Sequence, residues 1–401
     1  MSFFGWLDYS EAQRRQALEV IDRFAEKSTV DELGLGTVRD GISDLLFPGL
    51  SVLHTRARYF LFIPWIYKAL EDNWVGSAEM GKKVRAQELK LIYALAESDD
   101  PKGTIGIEAR ENLKRFPSSV YWQGLGRWGI RLYPGAEPQY RRWLDRYYRM
   151  VDAGDGSMDG EEGGARVGPN WHPGFPEPPD AFPETASFAL TRAEAEYLLD
   201  RVEQRAAGTL LAHLLRDGKP TAGVVFPWEH PIVGSLPQRN QDELTHARFF
   251  SELTNGGPLL YNLLLAELRK QQDLIDDYRD LLQEWADLVE SRRAEALQWD
   301  RLDFWRTIGR TGAQVSPGTR AFIDQWIHLV LQEGVPARLA DHEQARAMVV
   351  SRERAIKGGM ARVDNPRALE LWTGASGTGR LDFRWNQIQL LIDDILRGLG
   401  H

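Results

Sequence analysis

Asp40 and Asp44 stand four residues apart on a stretch whose pattern predicts a helix, so both carboxylates share one helix face. Two carboxylates held that close split their pKa values and supply one acid and one base. Asp8, in Trp6-Leu-Asp-Tyr-Ser10, is a third candidate; it precedes an expected helix start, where a carboxylate also serves as a cap. Glu229 and His230, in Trp228-Glu-His-Pro231, offer a further acid and base on a loop. The 8 histidines form no H-E-x-x-H pattern, the chain has 0 cysteines, and there is no G-x-S-x-G elbow. Thiolate zinc sites, iron–sulfur clusters, disulfides and a cysteine nucleophile are excluded, and no metal or cofactor is expected.

A second chemistry is written in cations and rings. From Lys114 to Arg131 and again from Tyr140 to Arg149, bases alternate with large aromatics, among them Tyr121, Trp122, Arg127, Arg131, Trp143 and Tyr147. Arg and Lys neutralise phosphates and aromatic faces stack on exposed bases, at ~1–3 kcal/mol per stack. The same pattern also suits an aromatic core with a solvated basic face, and both readings stand at this level. Thr55-Arg-Ala-Arg-Tyr-Phe60 and Thr245-His-Ala-Arg-Phe-Phe250 echo each other, which makes Arg58 and Arg248 equivalent anchors to buried carboxylates or to phosphate. Arg56 and Tyr59 belong to the first of these hexamers. Leu33-Gly-Leu-Gly36 and Gly374-Ala-Ser-Gly-Thr-Gly-Arg380 are turns whose amides can face an anion, the latter beside Arg380, although neither has the Gly-Lys-Ser/Thr ending of a P-loop. The basic stretch from Arg346 to Arg367 is a candidate neighbour of the second turn.

These groups must be held by helices. Apolar residues recur at helical spacing over 37–46, 55–72, 79–97, 105–115, 118–129 and 137–150, then over 302–309, 318–333, 341–357 and 385–398, with Pro64 breaking or kinking the second. Capping boxes are expected at Ser10/Gln13, Thr191/Glu194 and Asn240/Glu243. No Gly or Pro interrupts Leu259 to Trp299, which predicts one long helix. Strand signal is thin, with Gly223 to Phe226 the best candidate. The fold class expected is therefore mostly α, multi-helical, with two domains and little or no β-sheet.

Charge suggests where the domains divide. The chain carries a net −9, yet residues 152–184 hold eight acids against Arg166 alone, while residues 102–150 hold ten bases and four acids. A local basic face is thus available on an acidic chain, and DNA is the expected partner. Residues 152–184, rich in Gly, Pro and acids, read as a linker between a helical domain over 1–151 and a second over 185–401. The longest apolar run, Tyr59 to Tyr67, is far short of a bilayer span, and the opening MSFFGWLDYS has no basic segment followed by an apolar core. A cytoplasmic protein with no membrane partner is expected.

Trp6-Leu-Asp-Tyr-Ser10, Asp31-Glu-Leu-Gly-Leu-Gly36, Pro117-Ser-Ser-Val-Tyr-Trp122, Phe249-Phe-Ser-Glu-Leu-Thr254 and Leu371-Trp-Thr-Gly-Ala-Ser-Gly377, with both hexamers, carry a resemblance over nearly the whole chain. It resembles an uncharacterised bacterial family, a domain of unknown function whose members look like components of phage-defence loci. It is also similar to an anti-phage DNA glycosylase that removes glucosylated hydroxymethylcytosine. The resemblance implies a defence setting and excision of a modified cytosine flipped out of DNA, and carries over no catalytic residue; the residues themselves supply the candidates for a metal-independent, water-using glycosylase, with Asp44, Asp40 or Asp8 as the carboxylate and Arg56, Arg58, Tyr59, Tyr121, Trp122, Arg127, Arg131, Arg248 and Arg380 on the DNA. The alternative is a non-enzymatic helical DNA-binding or scaffold subunit of a defence complex.

Overall fold

Residues 31–155 and 168–401 are described by the computed structural model of the chain. Asp8 and the Ser10/Gln13 capping box lie outside them. In chain order the α-helices are α1 (Gly36–Leu46), α2 (Tyr59–Asp72), α3 (Ser77–Ala96), α4 (Pro117–Arg127), α5 (Glu137–Asp155), α6 (Arg192–Arg205) and α7 (Leu210–Asp217). They continue as α8 (Gln238–Thr254), α9 (Gly256–Leu268), α10 (Gln272–Gln298), α11 (Arg301–Arg310), α12 (Pro317–Val330), α13 (Glu343–Lys357), α14 (Pro366–Glu370) and α15 (Trp385–Leu399). Among the described residues there is no strand, only an isolated antiparallel bridge between Arg131 and Trp171, so the protein is mostly α and multi-helical.

Two compact units result, and neither is continuous in sequence. One comprises Met1–Gly41 with Thr245–Leu381, the other Ile42–Leu244 with Asp382–His401. Residues 168–184, which composition reads as linker, belong to the second unit and are fastened into it. Trp171 and Phe175 are buried, the Trp65 indole donates to the Pro176 carbonyl at 2.6 Å, and Phe182 stacks on Phe62 at 5.6 Å. Three rings among many acids, glycines and prolines are enough to bury this strap, because aromatic rings dominate core energetics.

Several helices depart from their expected form for local reasons. α2 continues through Pro64, whose missing N–H costs one ladder bond, because the helix is buried on nearly every side and packing holds it. The stretch expected as a single helix over 259–299 is a hairpin of α9 and α10. Lys270 takes the left-handed conformation (φ 55°), its N–H reaches the Glu267 carbonyl at 3.0 Å, and the Gln271 N–H reaches Ala266 at 3.1 Å. That is a Schellman ending built on lysine instead of glycine. Folding back brings the Trp285 ring against Gly256, where a Cβ would lie 2.6 Å from the indole, so only glycine fits there.

The Thr191/Glu194 capping box is formed. Asn240 instead lies one turn inside α8, which starts after Pro237, and its amide donates to Gly208 and Glu243. Over 105–115 only a 3-10 turn at Arg110–Asn112 forms, preceded by Gly103 and Gly106 at positive φ. Gly223 to Phe226 is a turn, not a strand, with the Val224 carbonyl capped by Trp385 and Gln389.

Candidate functional site

In the unit formed by Ile42–Leu244 and Asp382–His401, most of the basic and aromatic candidates are structural. Arg56 grips Asp394 with two parallel bonds (2.8 and 2.9 Å) and reaches Asp100 at 2.7 Å, lying over Phe188. Arg58 pairs with buried Glu194 at 2.6 Å and donates to the Ser187 carbonyl. The Tyr59 hydroxyl accepts from Ile105, and the Tyr121 hydroxyl bonds the backbone of Thr55 and Arg56. The Trp122 indole donates to Gly135, with the Arg131 guanidinium 4.9 Å over its ring and bonded to the Trp122 and Gly135 carbonyls. Arg127 is exposed. Asp44, 61 % exposed, accepts from Arg384 at 2.5 Å.

What stays outward is one face of α5. Arg142, Arg146 and Arg149 are exposed at helical spacing, Trp143 and Tyr147 are half-buried beside them, and the Arg146 guanidinium lies 5.5 Å from the Trp143 ring centre. This unit also hides an acid. Glu88 is enclosed, accepts from the Ser118 N–H at 2.6 Å, and burial pushes its carboxyl up to about 8.

In the other unit, Asp40 is half exposed and paired with Arg39, Arg380 is half-buried, and Arg248 binds Glu252 at 3.2 Å and Glu295 at 3.4 Å. Both echoed hexamers therefore direct their arginine to a buried glutamate. The Leu33-Gly-Leu-Gly36 turn behaves differently from its anion-binding expectation. The Asp31 carboxylate already accepts from the Leu35 and Gly36 amides at 2.6 and 2.7 Å, capping α1. Gly34, at φ 68°, lets Arg352 close in; its Nε donates to the Leu33 carbonyl at 2.9 Å.

Directly before this turn, Glu32 enters a cluster of charged side chains. Its carboxylate accepts from Arg362 at 2.5 Å and from the Lys357 ammonium. Glu353, one helical turn before Lys357 on α13, accepts from the Lys357 Nζ at 3.1 Å, the Tyr261 hydroxyl at 2.6 Å and the Arg362 N–H at 2.9 Å. Arg362 also reaches the Ser376 hydroxyl at 3.3 Å. That serine lies in the glycine-rich loop, which is pinned through its carbonyls by Tyr278, Asn262 and Asn255. The basic stretch meets the glycine-rich loop, as expected of candidate neighbours, and the Gly-Leu-Gly turn joins them at the same place.

The cluster has a buried floor and an open rim. The Glu32 and Glu353 side chains are 2 % and 0 % exposed, those of Lys357 and Arg362 18 % and 17 %. Burial, reinforced by the neighbouring Arg362 guanidinium, pushes the Lys357 ammonium down to about 7. The Asp31 carboxylate pulls the other way. Burial, then Glu353, raises the Tyr261 phenol. Two carboxylates and a phenol, each in hydrogen-bond reach of one amine, can pass protons through it in either direction. Among the described residues no group of three or more His, Cys, Asp or Glu side chains is placed to hold a metal.

The chain belongs to the family of unknown function DUF6361. Its family model matches residues 1–395. Neither curated proteins nor solved structures yield a match. The DUF6361 match spans both units and every residue of the Glu32 cluster. Beside that cluster, Leu33, Leu35, Gly257, Phe322 and Trp326 line an apolar crevice of about 180 Å³, open solvent included, with no room for a water molecule as it stands. Among the described residues no helix is long and apolar enough to cross a membrane. Sequence reasoning missed Glu32, Tyr261, Glu353, Lys357, Arg362 and Ser376. The Glu353/Lys357 spacing on one helix and the basic stretch set beside the glycine-rich loop were the available signals, and neither reached Glu32, 325 residues from Lys357.

Proposed function

We propose that this chain is a DNA N-glycosylase of antiviral defence that extrudes and excises a modified, including glucosylated, cytosine and leaves an abasic site. The observation that carries the reading is the cluster of Glu32, Glu353, Tyr261 and Lys357, a water-poor set of acids and bases open at one rim. Breaking the bond between C1′ and the base leaves positive charge on the sugar, which a buried carboxylate stabilises more strongly than an exposed one. The same carboxylate can orient the attacking water. The outward face of α5 supplies Arg142, Arg146 and Arg149 for phosphates, and Trp143 and Tyr147 for unstacked bases.

The test incubates the purified chain, in EDTA, with modified and unmodified phage DNA, followed by mild alkali. Breaks confined to modified DNA and to the alkali-treated sample are expected, with Glu32→Gln lowering their yield by about 100-fold, the usual scale for losing acid–base help. If Asp44→Asn abolishes them while Glu32→Gln does not, the chemistry belongs to the exposed carboxylate. Breaks that need Mg²⁺ and no alkali refute the glycosylase. DNA binding without product favours the second reading, a non-enzymatic helical DNA-binding or scaffold subunit. That reading draws on the number of arginines whose charge is met by carboxylates of the same chain, Arg56, Arg58 and Arg362 among them.

A further inference from the structure

We propose that Lys357 is the amine of an imine-forming site whose ligand is an aldehyde, taken here as the ring-opened sugar of an abasic site in DNA. The identity of that aldehyde rests on the glycosylase reading; the amine chemistry does not.

Imine formation asks four things of a protein, and the cluster answers each. The amine must shed its proton near neutral pH, and Lys357 has left bulk water, with Arg362 on the same carboxylate as a competing cation. A base must accept that proton and return it, and Glu32 and Glu353 both contact Nζ. A hydroxyl must reach the same region to serve the oxygen of the adduct, and the Tyr261 phenol lies 3.3 Å from Nζ. The amine must meet its ligand, and the Lys357 side chain keeps 18 % exposure where those of Glu32 and Glu353 keep 2 % and 0 %. A solvated surface ion pair supplies the base but neither the desolvated amine nor the neighbouring hydroxyl.

The step balances without an oxidant or reductant. Glu32 takes a proton from the ammonium, and the freed Nζ lone pair forms a bond to the carbonyl carbon as the C=O π pair moves onto oxygen. The oxygen then takes one of the two protons left on nitrogen, which restores the nitrogen lone pair and gives a neutral carbinolamine. That oxygen leaves as water when the carboxylic acid returns its proton and the nitrogen lone pair closes the C=N bond. Among the described residues the titratable or charged groups facing Nζ are Glu32, Glu353, Tyr261 and Arg362, with Asp31 more distant. The pull of burial on the Lys357 ammonium, down to about 7, supports the geometry.

The full chain is incubated at pH 7 with sodium cyanoborohydride and one of two aldehydes, pyridoxal 5′-phosphate or an oligonucleotide carrying a chemically pre-formed abasic site. Digestion and mass mapping then rank modification across the 10 lysines. Lys357 is expected to react at least about tenfold faster than the exposed Lys82 and Lys83, with its rate rising through pH about 7 and the adduct lost in Lys357→Arg. Trapping on the abasic oligonucleotide supports the proposal in full. Trapping of pyridoxal 5′-phosphate alone overturns the DNA sugar as ligand, and reaction no faster than Lys82 with either probe overturns the site. Because the abasic site is pre-formed, these outcomes are separate from the alkali assay that tests base excision.

Discussion

Replacing Arg56 by alanine separates a structural arginine from a DNA contact. The guanidinium is 3 % exposed, its partner Asp394 is 2 % exposed, and the two are joined by parallel bonds of 2.8 and 2.9 Å. Removing one partner of a buried pair strands the other charge, which costs ~3–5 kcal/mol. Asp394 retains the Ala57 N–H at 3.1 Å and Arg397 at 2.7 Å, which places the loss toward the lower end of that range. For a unit of this size ~3 kcal/mol lowers Tm by roughly 6–12 °C. Thermal melts followed by circular dichroism measure it, and a salt titration of DNA binding runs beside them. Arg56→Met with Asp394→Leu is expected to recover part of the loss, since an apolar pair of similar volume replaces the ion pair without leaving a charge behind. Recovery stays partial because Asp100 and the Lys102 carbonyl also lose their donor. A loss below ~1 kcal/mol, together with a tenfold fall in DNA affinity and a salt slope shallower by about one, would refute the structural assignment.

Glu88 and Asp31 yield two further expectations. A carboxyl raised from 4.5 to about 8 stabilises the fold fully below pH 4.5 and loses that contribution as pH rises through 8. At ~1.4 kcal/mol for each tenfold the upper bound is roughly 5 kcal/mol. Glu88→Gln should therefore flatten stability between pH 5 and 9, as read by urea unfolding at several pH values; an unchanged slope would place the titration elsewhere. Asp31→Ala should cost ~0.5–2 kcal/mol through the lost cap on α1 and leave DNA affinity unchanged. If affinity instead rises, the vacated Leu35 and Gly36 amides bind phosphate and the turn is an anion site after all.

Helices were legible wherever burial is one-sided, because apolar residues then repeat with the helical period, and α1, α3, α4 and α12 lie within a few residues of where spacing puts them. The hairpin between α9 and α10 was not, since its turn uses Lys270 in a conformation that side chains rarely adopt and that packing, not local preference, maintains. Acidic composition likewise concealed the buried Trp171 and Phe175 and the stacking of Phe182 on Phe62, which decide the fate of residues 168–184. Charge was the least transferable signal. A basic, aromatic stretch states that cations need neutralising without stating by what, and the partner is set by long-range contacts such as Arg56 with Asp394, 338 residues away. The site lay hidden for the same cause. Glu32 beside a glycine turn and Lys357 at the end of a helix are each ordinary, and they acquire chemistry when the fold removes water from one and holds the other at the rim above it. Arg142, Arg146 and Arg149 on α5 differ in kind, since their charge still faces outward. If DNA is the partner, the salt dependence of binding should track those three side chains rather than the buried arginines that sequence alone could not tell apart from them.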